Sequence, residues 1–136
     1  MNLRHILRSA VCAILTASAV AAGAADKPPA ARSGSESIVL GMGCFWGAEK
    51  RMAAVPGVLD VESGYANGDI QGSYNAILAQ EKAIRAGQSN KRNHAEVVKV
   101  TFDPAKTTLE KVLIQFWENH DPTQGDRQGN DVGSNY

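Results

Sequence analysis

Two side chains of this sequence combine a reactive group with a setting that could use it. The first is Cys44, inside Gly41-Met42-Gly43-Cys44-Phe45-Trp46-Gly47. A short apolar run, Ser37-Ile38-Val39-Leu40, precedes it, and a helix-like segment from Ala48 to Ala54 follows. A cysteine at a strand-to-helix turn lies near the first free N–H groups of the helix. Those donors and the positive end of the helix dipole stabilise an anion. The thiolate is the nucleophilic form of cysteine, so the position suits attack on an electrophilic centre. The flanking glycines allow a sharp turn and leave the sulfur approachable. Phe45 and Trp46 would form an apolar wall for a substrate. The bland alternative is a small buried hydrophobe, common for a free cysteine. The second side chain is Glu96. Between His94 and Asp103 the chain alternates, so that His94, Glu96, Val98, Val100 and Phe102 share one strand face. A carboxyl group on an apolar face is desolvated and holds its proton to higher pH, which suits a general acid. A rim position open to water is the other reading of the same alternation.

The elements that must position these groups are legible from periodicity. A buried strand over 37–42 leads into the Cys44 turn. The helix after it ends near Ala54, with Phe45, Ala48, Met52 and Val55 on one face and Pro56-Gly57 stopping it. Val58 to Ser63 reads as a second strand, which completes a βαβ-like unit. Gly64 to Ser73, with three glycines, reads as an exposed loop. Ser73 could cap a helix from Tyr74 to about Ala86, ended by Gly87, with Tyr74, Ile77, Leu78 and Ile84 on one side. After the Glu96 strand, Pro104 breaks the pattern. Thr107 with Glu110 reads as a capping box for a helix with the stripe Leu109, Val112, Leu113, Phe116 and Trp117. Trp117 is expected to pack, not to touch substrate. From His120 to Tyr136 the chain is polar, glycine-rich and without period, the pattern of a functional or disordered loop.

Gly43-Cys44-Phe45-Trp46-Gly47 resembles the signature of the A-type peptide-methionine sulfoxide reductases. Further blocks follow in that family's order, among them Pro56-Gly57-Val58, Ser63-Gly64-Tyr65, His94-Ala95-Glu96-Val97-Val98, Phe102-Asp103-Pro104, Phe116 to Pro122 and Arg127 to Tyr136. The resemblance covers the chain from about Ile38 to its end. It implies an α+β fold, a ferredoxin-like two-layer α/β sandwich with long irregular loops, here truncated at the C-terminus before a further strand. It implies reduction of methionine-S-sulfoxide, free or in proteins, with Cys44 as nucleophile passing through a sulfenic acid and Glu96 as acid. Phe45 and Trp46 would hold the substrate methyl group, Tyr74 and Tyr136 would hydrogen-bond the sulfoxide oxygen, and Asp131 would help hold the substrate. The implied partners are methionine sulfoxide in proteins or peptides and a thioredoxin-type or other thiol reductant. No cofactor and no metal is expected, and the protein is expected to be a monomer. The link from Asn75 to Asn93 is longer than the family's usual connection.

The 136 residues suit one small domain, and 43% hydrophobic with 21% charged residues is ordinary for a globular chain. A formal net charge of zero and scattered basic residues give no reason to expect nucleic acid. Two cysteines exclude a disulfide scaffold. Arg4, His5 and Arg8, the small apolar run from Ala10 to Ala22, and Ala22-Gly23-Ala24 read as a secretory signal over 1–24. Periplasmic or secreted localisation follows, with Cys12 leaving with the signal. An uncleaved anchor is the lesser reading. Residues 25–36, rich in Ala, Pro, Ser and Gly, read as a linker to a reductase domain over 37–136. Three rival functions use the same residues. A dinucleotide site at Gly41-Met42-Gly43 with Glu62 has its third glycine displaced to Gly47. A metal site from His94, Glu96, His120 and Asp121 shares His94-Ala95-Glu96 with zinc deaminases but lacks their Pro-Cys-x-x-Cys. A thiol-dependent peroxidase would use Cys44 itself.

Overall fold

The computed structural model describes residues 34–136. The signal segment and most of the linker expected from the sequence lie outside the described residues. Three strands form one sheet: β1 (Glu36–Leu40), β2 (Val58–Ala66) and β3 (Ala95–Phe102), in the order β1-β3-β2 with both pairings antiparallel. The strand-helix-strand unit expected from 37–63 therefore exists, but its two strands are not neighbours. β3 lies between them, placed there because it alone buries a full face of Val98, Val100 and Phe102.

Helix α1 (Phe45–Ala53) packs on β2 and β3, and α3 (Leu109–Glu118) packs against α1. The core between helices and sheet holds Leu40, Met42, Ala48, Met52, Val98, Val100, Phe102 and Val112, with Phe45, Leu113 and Phe116 against it. Each large side chain sealed there contributes about 1.5–3 kcal/mol by leaving water. Helix α2 (Tyr74–Arg85) buries Ile77 and is tied by hydrogen bonds to the chain after it, through Gln80 to Lys91 O, Ile77 O to Asn93 and Glu81 to Ser134. A two-residue-per-strand hairpin, β4 (Arg127–Gln128) and β5 (Asp131–Val132), turns at Gly129 with φ +60°.

Several local expectations are corrected. β2 runs on to Ala66, so Gly64-Tyr65-Ala66 is strand and not loop. The cap of α3 is Thr108, whose hydroxyl accepts from Lys111 N–H; Thr107 is buried instead, its hydroxyl without a partner among the described residues. The buried side of α2 is Ile77 and Gln80, while Leu78 and Tyr74 are exposed. Leu109 and Trp117 also stand at the surface, so the apolar stripe of α3 is narrower than its spacing suggested. No helix among the described residues is long and apolar enough to cross a membrane.

Candidate active site

Cys44 occupies the N-cap position of α1, half-buried, with φ −50° and ψ 115°. Its side chain does not cap the helix, so the sulfur is not held by the backbone it precedes. Gly43 makes this placement possible. Its φ is +84°, and a Cβ there would lie 2.3–2.9 Å from the Gln128 side chain. Only glycine fits such a conformation and such a close approach. Gln128 in turn accepts the Cys44 N–H through Oε1 at 3.2 Å.

The anion-binding end of α1 is occupied, but not by the sulfur. Phe45 N–H, the first amide of the helix, donates to Glu96 Oε2 at 2.9 Å. Glu96 is 6% exposed at the start of β3, on the core face that the alternation indicated. Its other oxygen accepts from Asn135 Nδ2 at 3.3 Å, and its own N–H donates to Asn135 O at 2.8 Å. Burial raises the Glu96 carboxyl above the ordinary carboxylate range. The hydrogen bonds from Phe45 and Asn135 pull the other way, and nearby Asp131 adds to the rise. Desolvation wins over two donors because both donors are neutral amides, while the lost hydration is that of a full charge.

Around this pair stand the aromatic groups. Phe45 lies with its ring centroid 6.5 Å from Trp46 and 5.3 Å from Tyr65. Trp46 is 77% exposed and Tyr74 63%, so both present surface to an incoming molecule. Tyr136 is half-buried. Burial first, then the charges of Glu96, Asp131 and Cys44, push its hydroxyl above the usual tyrosine range, against a hydrogen bond with Asn135. Tyr65 is raised too, by burial and then by Glu96, Tyr74 and Tyr136. A raised phenol remains a donor throughout the neutral range. The structure therefore gathers Cys44, Phe45, Glu96, Asp131 and Tyr136 around one place, with Trp46 and Tyr74 at its surface.

Three residues of the site were not singled out from sequence. Tyr65 is the cross-strand partner of Glu96. Its signal was the continued alternation Val61, Ser63, Tyr65, hidden by the glycines that follow. Gln128 and Asn135 lie in a stretch without period and had no local signal. The residues of the metal reading are engaged otherwise: His94 Nδ1 accepts from Gly68 N–H at 3.0 Å, its Nε2 meets Ile70 O at 2.7 Å, and His120 Nδ1 meets Phe116 O at 2.6 Å. Among the described residues no three His, Cys, Asp or Glu side chains converge as a metal site.

The family model described as "Peptide methionine sulfoxide reductase" matches residues 36–136. The peptide methionine sulfoxide reductase MsrA of Salinispora arenicola is 50% identical over 103 residues, covering 76% of this chain and 43% of that one. The mitochondrial peptide methionine sulfoxide reductase of Bos taurus is 45% identical over 103 residues, covering 76% and 40%. The chain thus spans less than half the length of these curated relatives. Among solved structures, methionine sulfoxide reductase A of Corynebacterium diphtheriae superposes with a TM-score of 0.60 at 39% identity, over 77% of this chain and 45% of that one. Mxr1 of Saccharomyces cerevisiae in reduced form gives 0.57 at 32%, over 79% and 57%. The mixed α/β architecture with an antiparallel sheet is shared with these neighbours, and the chain belongs to the peptide methionine sulfoxide reductase family.

Proposed function

We propose that the protein reduces methionine-S-sulfoxide, free or in proteins, to methionine, and so repairs oxidised proteins. The observation that carries this reading is the Glu96 carboxyl, buried and raised, bonded to the amide next to Cys44. A sulfoxide sulfur is electrophilic, and its oxygen must gain a proton when the S–O bond breaks. The Cys44 thiolate attacks the sulfur and Glu96 gives the proton. The sum is thiolate, sulfoxide and one proton going to thioether and sulfenic acid. The substrate sulfur gains two electrons and the Cys44 sulfur loses two. Tyr74 and Tyr136 donate to the oxygen as its charge grows, which lowers such barriers by a few kcal/mol for each well-placed donor, about 2.7–4 in a measured case. Phe45 and Trp46 enclose the substrate methyl group, and Asp131 helps hold the substrate.

The sulfenic acid is returned to thiol by two reductant thiols, which leave as a disulfide together with one water. A thioredoxin-type protein or another thiol is the reductant. The order β1-β3-β2, with α1 and α3 packed together beside it, supports a ferredoxin-like reading of the reductase domain over 37–136. The protein acts as a monomer in the periplasm or outside the cell, after loss of residues 1–24. The basic n-region and the small apolar run are what support that address.

The test is turnover of a methionine-S-sulfoxide peptide by the full chain with dithiothreitol, beside Cys44→Ser. Loss of turnover in the variant with an unchanged melting temperature is expected. Turnover retained by the variant, or wild-type protein that consumes hydrogen peroxide and leaves the sulfoxide untouched, would remove this reading in favour of another.

A further inference from the structure

We propose that Glu81, braced by Arg85, is a positioning residue: it clamps the backbone after β5 so that Asn135 and Tyr136 face Glu96. This rests on the reductase reading for its catalytic meaning, though the clamp itself is a matter of geometry. Glu81 Oε2 accepts two hydrogen bonds from one residue, Ser134 N–H at 3.0 Å and Ser134 Oγ–H at 2.6 Å. Its other oxygen pairs with Arg85 Nε at 2.6 Å, and Arg85 Nη2 donates to Val132 O at 2.7 Å. One turn of α2 therefore holds the segment on both sides of Gly133. The fit is close there, since a Cβ on Gly133 would lie 2.7 Å from Asn135 Oδ1 and 3.5 Å from the Glu81 carboxyl carbon.

The next residue after Ser134 is the one that reaches Glu96. Asn135 contributes both its carbonyl and its side-chain amide to Glu96, and Tyr136 N–H closes back on Gly133 O at 3.2 Å. The chain of contacts is thus Glu81 to Ser134, then Asn135 to Glu96. Helix α2 is itself fixed from the other direction. Gln80 Nε2 donates to Lys91 O at 2.5 Å, and Asn93 Nδ2 donates to Ile77 O at 3.2 Å. Burial opposes ionisation of Glu81, but the hydrogen bonds from Ser134 and Arg85 outweigh it and leave the carboxyl below its ordinary range. The clamp is therefore charged at working pH, and charge-assisted bonds are the stronger kind. Neither Glu81 nor Arg85 touches Cys44 or Glu96 directly. Their contribution is to hold the arm still, and small displacements of a reacting group are costly, about a hundredfold for 1 Å.

The experiment compares Glu81→Ala and Glu81→Gln in the full chain. Glutamine keeps an acceptor for both Ser134 donors, whereas alanine has none. Amide exchange by NMR should show Glu96 N–H losing protection in Glu81→Ala, with Val98 and Val100 unchanged, because Asn135 O is its acceptor. Glu81→Gln should retain most of that protection. Sulfenic acid formation should fall about ten- to a hundredfold in Glu81→Ala. In a Tyr136→Phe background the same change should cost far less, because two residues acting through one contact are not additive. Unchanged Glu96 exchange in Glu81→Ala would overturn the clamp even if turnover fell. Full additivity with Tyr136→Phe would overturn its route through Tyr136. A wild-type protein without reductase activity would instead defeat the functional reading and leave the exchange result to judge the clamp.

Discussion

Glu96→Gln separates the chemistry of the site from its architecture. In the wild type the carboxyl accepts Phe45 N–H at 2.9 Å and Asn135 Nδ2 at 3.3 Å. A glutamine carbonyl can keep the shorter bond, which fixes the start of α1. Its NH2 group would face the Asn135 NH2, so the longer bond is lost, at about 0.5–1.5 kcal/mol. Against this, the variant no longer buries an ionisable group. The sign follows from the raised carboxyl. A raised group stabilises the fold below its unfolded pKa of about 4.3, and that contribution is lost as pH rises through the higher folded value. The melting temperature of the variant relative to wild type should therefore climb as pH is raised through that value. Above that value the ionised wild-type carboxyl carries a burial cost that the variant lacks, which opposes the loss of the Asn135 bond. The reaction does not share that compensation. A missing general acid costs about 100-fold, which is about 2.7 kcal/mol at 1.36 kcal/mol per tenfold. Single-turnover mixing with a methionine-S-sulfoxide peptide, quenched and weighed for the added oxygen on Cys44, reads that step alone. The wild-type rate should also fall as pH rises through the Glu96 pKa, and the variant should lack that limb. A variant rate within threefold of wild type, or the same alkaline limb in both, would refute Glu96 as the proton donor.

Two further changes address the scaffold of the site. Gly43→Ala forces a side chain into the left-handed region and against Gln128, so a loss of about 1–3 kcal/mol is expected, read by urea unfolding, together with a drop in turnover as the Cys44 amide leaves Gln128. An unchanged unfolding midpoint would show that the turn can relax. Met52→Ala removes a side chain with no exposed surface from beneath α1. It should cost about 2–5 kcal/mol with the unfolding slope unchanged, and a cost below about 1 kcal/mol would mean that the helix settles into the gap.

What could be read from the sequence divides along a physical line. The Glu96 strand and the Cys44 helix carry their burial in a regular period, so Val98, Val100, Phe102, Ala48 and Met52 were assigned to the core correctly. The Cys44 turn was legible because glycines and an apolar run frame it. The α2 helix is legible, but its buried face only in part: Ile77 is inside as its spacing indicates, while Tyr74 and Leu78 are exposed. Gln80 is inside because its amide has two partners, Ser89 and Lys91, and no hydropathy scale sees that. The stretch from His120 to Tyr136 reads as a functional or disordered loop carrying Asp131 and Tyr136, but its Gln128 and Asn135, which also stand against the site, have no signal of their own. Their contacts with Cys44 and Glu96 cross 84 and 39 residues of chain, and nothing local encodes such pairings. Tyr65 was lost to the loop because glycines beside it outweighed a strand that had not yet ended.

The central place of β3 has a consequence for the order in which this protein comes into being. Both of its neighbours precede it along the chain. A growing polypeptide therefore displays its reactive sulfur before the acid strand has been made, and the arm that holds that strand follows later still. Pairings between distant segments form slowly. Until they do, the Cys44 sulfur stands without the Glu96 carboxyl near it, and its surroundings are complete only once β3 and the Asn135 arm are in place.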